Sequence, residues 1–520
     1  MKSITLQDER PLTHRNQDQK NPQNSTPDSR LQDKLIKTPD DFDLAQQYLE
    51  ESVQHHCLAQ AEQTFAHILE SFPHYQHIRR LFIACCLHQQ KYHKAMDAIE
   101  LLVTFSEIDE HLIRSALHVR NKIGPKVIPQ ERKDHATLSL CMIVKNEQAS
   151  IGPCLNAAKN MVDEIVVVDT GSTDRTADIA RIYGAVVYDF SWNDDFSEAR
   201  NYTLDKAHGD WILVLDADEL VAPRDRQRIR QLLNAENRRN VVFSFESRNY
   251  SHVANAVNLR ANPGEYPRHE AGLGWFPSRK IMLFPNLKSI RFHFPVHERI
   301  SPSVREAGLT VIDATIPVHH YGLLNETKNN KKGAVYFRIG YKKLDRLGND
   351  VVALRELAIQ AGQLAYWPEA LELWQRLLTL RPDYAEAYVN MAAAYWQTGK
   401  YQQSLESARM ACELAPQMKE GAYNLAVSLL MLGKAEKAVV VLTELLHRHG
   451  DYLAARFMLA SAAGCAGDMD RCVSLYREFR KIQVGAALGA AVLDLQRRLR
   501  GSGLNPYANA LDSAMRRMEG

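Results

Sequence analysis

Gly399, Gly433 and Gly467 stand 34 residues apart. The same interval separates Ala370, Ser404, Ala438 and Cys472, and it separates Pro382, Pro416 and Gly450. Between these points the apolar positions follow a helical period. A small residue at a turn, a small contact inside the second helix and a breaker at its end describe one helical hairpin, repeated in register. Such a hairpin cannot bury its apolar face alone, so neighbours must stack and share a core. Residues 344–485 are therefore expected to be stacked hairpins, followed by a helical tail over 486–520. Ala61 and Ala95 keep the interval, and Pro73 follows Ala61 by 12, as Pro382 follows Ala370. Residues 41–125 accordingly read as a second, repeat-like helical domain. Unrelated helices in a bundle would not hold one register.

Between the helical regions the pattern changes. Apolar runs at 138–144, 165–168, 185–188, 211–215 and 241–245 suit strands, and helical patterns at 175–183 and 196–207 separate some of them. This alternation implies an α/β domain, a mostly parallel sheet covered by helices. Two strands end in carboxylates: Ile165-Val-Val-Val meets Asp169, and Trp211-Ile-Leu-Val-Leu meets Asp216-Ala-Asp218-Glu219. Ligands collect at the carboxyl ends of parallel strands. Clustered carboxylates repel an anion unless a hard cation lies between them, and Asp-x-Asp suits Mg²⁺ or Mn²⁺ bound to phosphate oxygens. The competing use of the pair is to cap the helix marked by Pro223. Residues 248–325, rich in Gly, Pro, His and aromatics, read as short strand-like pieces.

A chain of 520 residues is too long for one core, so about two to four domains are expected. With 24% charged residues and a net charge of +2, nothing calls for a nucleic acid or an anionic membrane as partner. No apolar run approaches the roughly 18 residues of a bilayer span, so no transmembrane segment is expected. The first residues lack the apolar core of a secretory signal. Eight cysteines show no metal-type spacing, and read as reduced thiols in a cytoplasmic protein. Residues 1–40, polar and aperiodic, are expected to be disordered. Residues 125–135 look like a linker.

The hairpins resemble tetratricopeptide repeats. Met142-Ile-Val-Lys-Asn-Glu147, Val168-Asp-Thr-Gly-Ser-Thr-Asp174, Trp192-Asn-Asp-Asp-Phe-Ser-Glu-Ala-Arg-Asn201 and Leu215-Asp-Ala-Asp-Glu219 together resemble family 2 glycosyltransferases of the GT-A fold. The nearest branch joins that domain to tetratricopeptide repeats and includes bacterial peptide S-glycosyltransferases. The resemblance implies a GT-A domain over 136–325, a Rossmann-like mixed sheet that binds a nucleotide-sugar, most simply a UDP-sugar. It implies that Lys145, Asn146, Glu147, Asp169, Gly171, Ser172, Arg200, Asn201 and Asp216 surround the donor. For Arg200 the competing view is a buried pairing with Asp195 or Glu198. A divalent metal is assigned to Asp216, Asp218 and His320, with His319 as the other choice for the imidazole. Either histidine also suits a structural place at a strand end.

Phe294-Pro-Val-His297-Glu298 and Val318-His319-His320-Tyr-Gly322 resemble acceptor-side motifs of this branch. Inverting transfer needs a base beside the acceptor. Glu298, set among apolar Phe294, Val296 and Ile300, is the first choice, His297 the second, and Asp218 belongs to the same catalytic group. Tetratricopeptide repeats favour a protein or peptide acceptor, since helical arrays cradle extended chains, and they also offer a surface for oligomerisation. The alternatives are transfer to a cell-envelope or lipid-linked glycan, and a non-catalytic scaffold with a degenerate transferase domain. A nucleotidyltransferase is disfavoured, because no Gly-rich loop follows Lys145.

Overall fold

The computed structural model describes residues 29–105, 109–128, 135–233, 240–252, 259–296, 298–324, 326–348, 350–482 and 486–519. The chain divides into two units. The first runs to Ser247 and adds Arg279–His293 and Arg299–His320; the second holds Arg248–Ser278, Phe294–Glu298 and the chain from Tyr321.

The first unit opens with α1 (Ser29–Lys37), α2 (Phe42–Gln54), α3 (Leu58–Ser71), α4 (Gln76–His88), α5 (Tyr92–Phe105) and α6 (Glu110–Ile123). Helix α1 falls inside the stretch expected to be disordered. Leu31 and Leu35, one turn apart, give it an apolar stripe, and Leu35 is fully buried. The remainder of that expectation, residues 1–28, lies outside the described residues. In the turns after α2 and α4, His56 and Gln90 take the left-handed conformation, and they too are 34 residues apart. Each turn is closed by a bond five residues back, Cys57 N–H to Ser52 O at 2.9 Å and Lys91 N–H to Cys86 O at 2.8 Å. This is the Schellman closure of a helix end.

The α/β region follows as β1 (Leu138–Val144), α7 (Ile151–Ala158), β2 (Glu164–Asp169), α8 (Thr176–Ile182), β3 (Val186–Asp189), α9 (Phe196–Lys206), β4 (Trp211–Val214), β5 (Glu219–Leu220), α10 (Arg226–Leu233), β6 (Val241–Ser251), β7 (Gly274–Pro285), α11 (Ser301–Glu306) and β8 (Thr310–His320). One eight-stranded mixed sheet runs in the order β3-β2-β1-β4-β7-β6-β8-β5. Strands β3, β2, β1 and β4 are parallel, and β2 and β4 are buried along their whole length, as their unbroken apolar runs require. β7 joins β4 antiparallel, setting Leu283 against Leu213 and Phe284 against Ile212. The short pieces expected after residue 248 are instead long strands, 12 residues in β7 and 11 in β8. Apolar Ile281–Phe284 can be buried only by extending the sheet.

The helices before the sheet do not close a core of their own; their apolar faces merge with those of α7, α8 and the sheet. A buried polar joint pins the junction. Glu100 binds Arg120 at 2.6 Å and also Lys159, Arg120 Nε donates to Ile182 O at 2.8 Å, and Tyr183 Oη donates to Glu100 O at 2.6 Å.

The second unit holds α12 (Glu326–Leu347), α13 (Val351–Gln363), α14 (Trp367–Leu380), α15 (Ala385–Gln397), α16 (Tyr401–Leu414), α17 (Lys419–Met431), α18 (Ala435–Arg448), α19 (Leu453–Cys465), α20 (Met469–Ile482), α21 (Ala486–Gly501) and α22 (Asn505–Glu519). The turns inside the hairpins place Ala365, Gly399, Gly433 and Gly467 at φ +59°, +73°, +73° and +94°. Each again has the closing bond, at 2.8–2.9 Å, from Tyr366, Lys400, Lys434 and Asp468. The expected tail is a further hairpin, closed the same way at Gly503. Leu488, Val492, Leu495 and Leu499 of α21 enter the core of α17–α20. At its far end Arg498 donates to Gln397 Oε1 at 3.0 Å and lies 4.1 Å over the Trp396 ring. Helix α21 thus packs over a face formed by Trp396, Tyr423 and Phe457, lining with it a half-open cavity of about 200 Å³. Among the described residues no helix is long and apolar enough to cross a membrane.

Ala365 carries a Cβ where its three counterparts carry none, and the left-handed conformation costs an L-residue roughly 1–2 kcal/mol. Part of any gain is offset because glycine loses more freedom on folding. Ala365→Gly is therefore expected to stabilise the repeats by up to about 1 kcal/mol. Chemical denaturation should show a higher midpoint; a lower one contradicts this account of the turn.

Candidate active site

Strands β1 and β2 end level, with Val144 opposite Asp169. Beyond them two loops brace each other. Asp169 Oδ1 accepts the N–H groups of Gly171 at 3.0 Å and Ser172 at 2.8 Å, which folds the chain back over the strand end. Gly171 sits at φ +97°, a conformation that L-residues rarely adopt. Asn146, also left-handed at φ +54°, accepts the Thr173 N–H at 2.8 Å, and its own N–H reaches Ser172 Oγ at 2.9 Å. Glu147 N–H donates to Thr176 Oγ1 at 2.7 Å. Lys145, Asn146, Glu147, Asp169, Gly171 and Ser172 are thus brought to one sheet edge. Lys145 and Asn146 are exposed; Glu147 and Asp169 are buried. Asp174 acts as a cap, accepting the Thr176 N–H at 3.0 Å.

Strand β4 leads into the turn Asp216–Glu219, and β5 then pairs antiparallel with the end of β8, Glu219 opposite His320. That pairing brings His320 Nε2 to 3.5 Å from Asp218 Oδ1. His319, next in the strand, is fully buried and belongs to the opposite face. Asp216 points elsewhere. It pairs with Arg200 from α9, and Lys280 Nζ from β7 lies 3.7 Å from its other oxygen. Lys280 also binds Glu219 Oε1 at 2.9 Å, while Glu219 Oε2 accepts the Asp216 N–H at 3.0 Å. Glu219 is 1% exposed, so its charge needs these partners. Asp195 caps its own helix by accepting the Glu198 N–H at 3.1 Å. The helix turn at Pro223 is preceded by Ala222 without a side-chain cap, so the aspartates do not serve as its cap.

The charges follow this geometry. Burial alone would raise the Asp216 carboxyl, but Arg200 and Lys280 outweigh it and hold the group well below the usual carboxylate range. Burial disfavours a charged His320, yet the Asp218 carboxylate more than offsets this and raises the ring. Lys280 is raised by Glu219 first, against burial, and then by Asp216.

Asn201 serves a different purpose. Its side chain accepts the Phe292 N–H at 2.8 Å and donates to Phe292 O at 2.9 Å, tying α9 to the chain after β7. Glu298 lies on the loop 294–298, closed at its base by two 2.9 Å bonds between His293 and Arg299 and containing Phe294 at φ +77°. Glu298 belongs to the second unit, and His297 lies outside the described residues. Sequence reasoning missed Lys280 and the buried role of Glu219. The signal was there, since Ser278-Arg279-Lys280 interrupts a strand whose other residues are apolar.

Whether a divalent ion fits is answered by the donors. Asp218 and His320 offer a carboxylate oxygen and an imidazole nitrogen side by side, both less than a fifth exposed, a pair better suited to Mn²⁺ than to Mg²⁺, which prefers oxygen alone. Among the described residues no group of three His, Cys, Asp or Glu side chains could hold an ion. The corner therefore fits an ion that takes its other ligands from phosphate oxygens and water, as Mg²⁺ commonly does. Asp216, expected beside the metal, pairs with Arg200 and lies 3.7 Å from Lys280.

Known proteins resemble separate parts of this chain. Residues 139–294 match the glycosyl transferase family 2 model, and residues 364–417 match a tetratricopeptide repeat model. A TPR repeat-containing protein of Synechococcus elongatus is 37% identical over 193 residues, covering 36% of this chain and 42% of that protein. The SPbeta prophage-derived glycosyltransferase SunS of Bacillus subtilis is 36% identical over 204 residues, covering 39% of this chain and 43% of its own. An uncharacterized glycosyltransferase of Rickettsia prowazekii is 34% identical over 100 residues, 19% of this chain and 34% of its own. The matched segments span less than half of each relative.

The two aspartates should differ when removed. Asp216→Ala removes a carboxylate paired with the Arg200 guanidinium; Arg200 is 6% and Asp216 34% exposed, so the cost should exceed about 1 kcal/mol yet stay below the roughly 3–5 kcal/mol of breaking a fully buried pair. Asp218→Ala leaves an imidazole that can stay neutral, and should remain within about 1 kcal/mol of the parent. Denaturation midpoints that fall equally for both would contradict the separate roles.

Proposed function

We propose that this chain, which carries a family 2 glycosyltransferase domain followed by tetratricopeptide repeats, moves a sugar from a nucleotide-sugar, most simply a UDP-sugar, to a protein or peptide side chain. The observation that carries the reading is the Asp218–His320 pair, assembled from two distant strands beside the cations of Arg200 and Lys280. Asp218 and His320 would hold a divalent ion, which would supply Lewis-acid neutralisation of the leaving diphosphate. The nucleoside end takes the edge where Asp169 terminates β2 and the loops through Asn146 and Ser172 are braced. Arg200, a buried planar cation, adds fixed positive charge near the developing anion, where a preorganised group acts most strongly.

Transfer inverts the anomeric centre. The acceptor heteroatom attacks the anomeric carbon, the carbon–oxygen bond to the diphosphate breaks, and Glu298 takes the acceptor proton. Asn201 acts through position, fixing α9 and with it Arg200. The repeats hold the acceptor chain on the face of their first helices that α21 leaves open.

The wild-type chain should bind UDP with Mn²⁺ in calorimetry and hydrolyse or transfer from at least one UDP-sugar. Asp218→Ala and His320→Ala should each weaken Mn²⁺-dependent UDP binding roughly ten- to hundredfold with melting unchanged. Undiminished binding in both variants would refute the donor site.

A further inference from the structure

We infer that Lys280 is a positioning residue of the donor site, acting through Glu219 and Asp216 to hold the turn that aims Asp218 at His320. The inference rests on the glycosyltransferase reading of that site. Its ground is a closed chain of contacts. Lys280 stands in β7, a strand that pairs directly with β4. From there its ammonium reaches Glu219 at 2.9 Å and Asp216 at 3.7 Å, the last and first residues of the turn. The Glu219 carboxylate accepts the Asp216 N–H, and the Asp216 carbonyl accepts the Glu219 N–H at 3.0 Å. The turn is therefore clamped at both ends by one cation from a neighbouring strand.

Charge makes the same point. Asp216, Asp218 and Glu219 put three carboxylates into four residues, and Arg200 answers the first of them. Without Lys280, Glu219 would keep a buried negative charge beside the backbone of Asp216, and the turn would open to hydrate it. Asp218 would then lose its fixed separation from His320. Lys280 is itself 43% exposed, so its chain spans from solvent to the buried Glu219 carboxylate.

The test uses the full chain, with UDP and Mn²⁺ as the probe, in calorimetry well below the melting transition. Lys280→Met should weaken UDP–Mn²⁺ binding roughly ten- to hundredfold, the range for a residue supporting a ligand residue. Lys280→Arg, which keeps the cation, should recover most of the loss. Adding Glu219→Gln to Lys280→Met should cost less than the product of the two single losses, because the orphaned charge is gone. A structural lysine would lower the melting temperature while leaving affinity intact. Wild-type affinity in Lys280→Met, or strictly multiplicative losses in the double variant, overturns the role of Lys280. A wild-type chain that binds UDP in neither the presence nor the absence of Mn²⁺ overturns the glycosyltransferase reading, and this inference with it.

Discussion

The pairing of Arg200 with Asp216 is the contact on which the rest of the site depends. Arg200 comes from a helix that lies before β4, and Asp216 from the end of that strand. Arg200 is almost wholly buried, so its charge cannot be left to water. Once Asp216 is committed to it, the next outward-facing carboxylate, Asp218, is turned toward β8 and His320. Two acids one residue apart thus meet different partners: Asp216 a buried guanidinium, Asp218 an imidazole. Asn201, one position along the helix, fixes the depth of Arg200 through its two bonds to Phe292.

A second theme is the recurrence of one turn. The helical hairpins on either side of the α/β region end their first helices with the same left-handed residue and the same bond five residues back. Glycine fills that place in four hairpins, whereas His56, Gln90 and Ala365 tolerate it in others. The closure is a backbone property, which explains how such different side chains keep one geometry.

Much of this was legible in the residues. Unbroken apolar runs marked β1, β2 and β4 because burial on both faces leaves no polar alternation to confuse them. The interval of 34 marked the hairpins because identical stacking repeats an identical steric demand. The acids at the strand ends followed from the same sheet. Other features depended on partners far along the chain. Asp216 and Asp218 look equivalent until Arg200, Lys280 and His320 are placed in space. His319 and His320 differ only through the pairing of β8 with β5. The polar opening residues hid α1, whose two leucines acquire meaning only against α2 and α3. The merger of the first helices with the sheet was equally invisible, since an amphipathic stripe does not say what it will meet.

The covering of Trp396, Tyr423 and Phe457 by α21 has a consequence for recognition. A helix joined to the end of its own array competes for that face at an effective concentration on the order of millimolar. A free peptide would have to displace α21 to reach this stretch. At the opposite end of the array, on α13, Val352 is exposed to solvent.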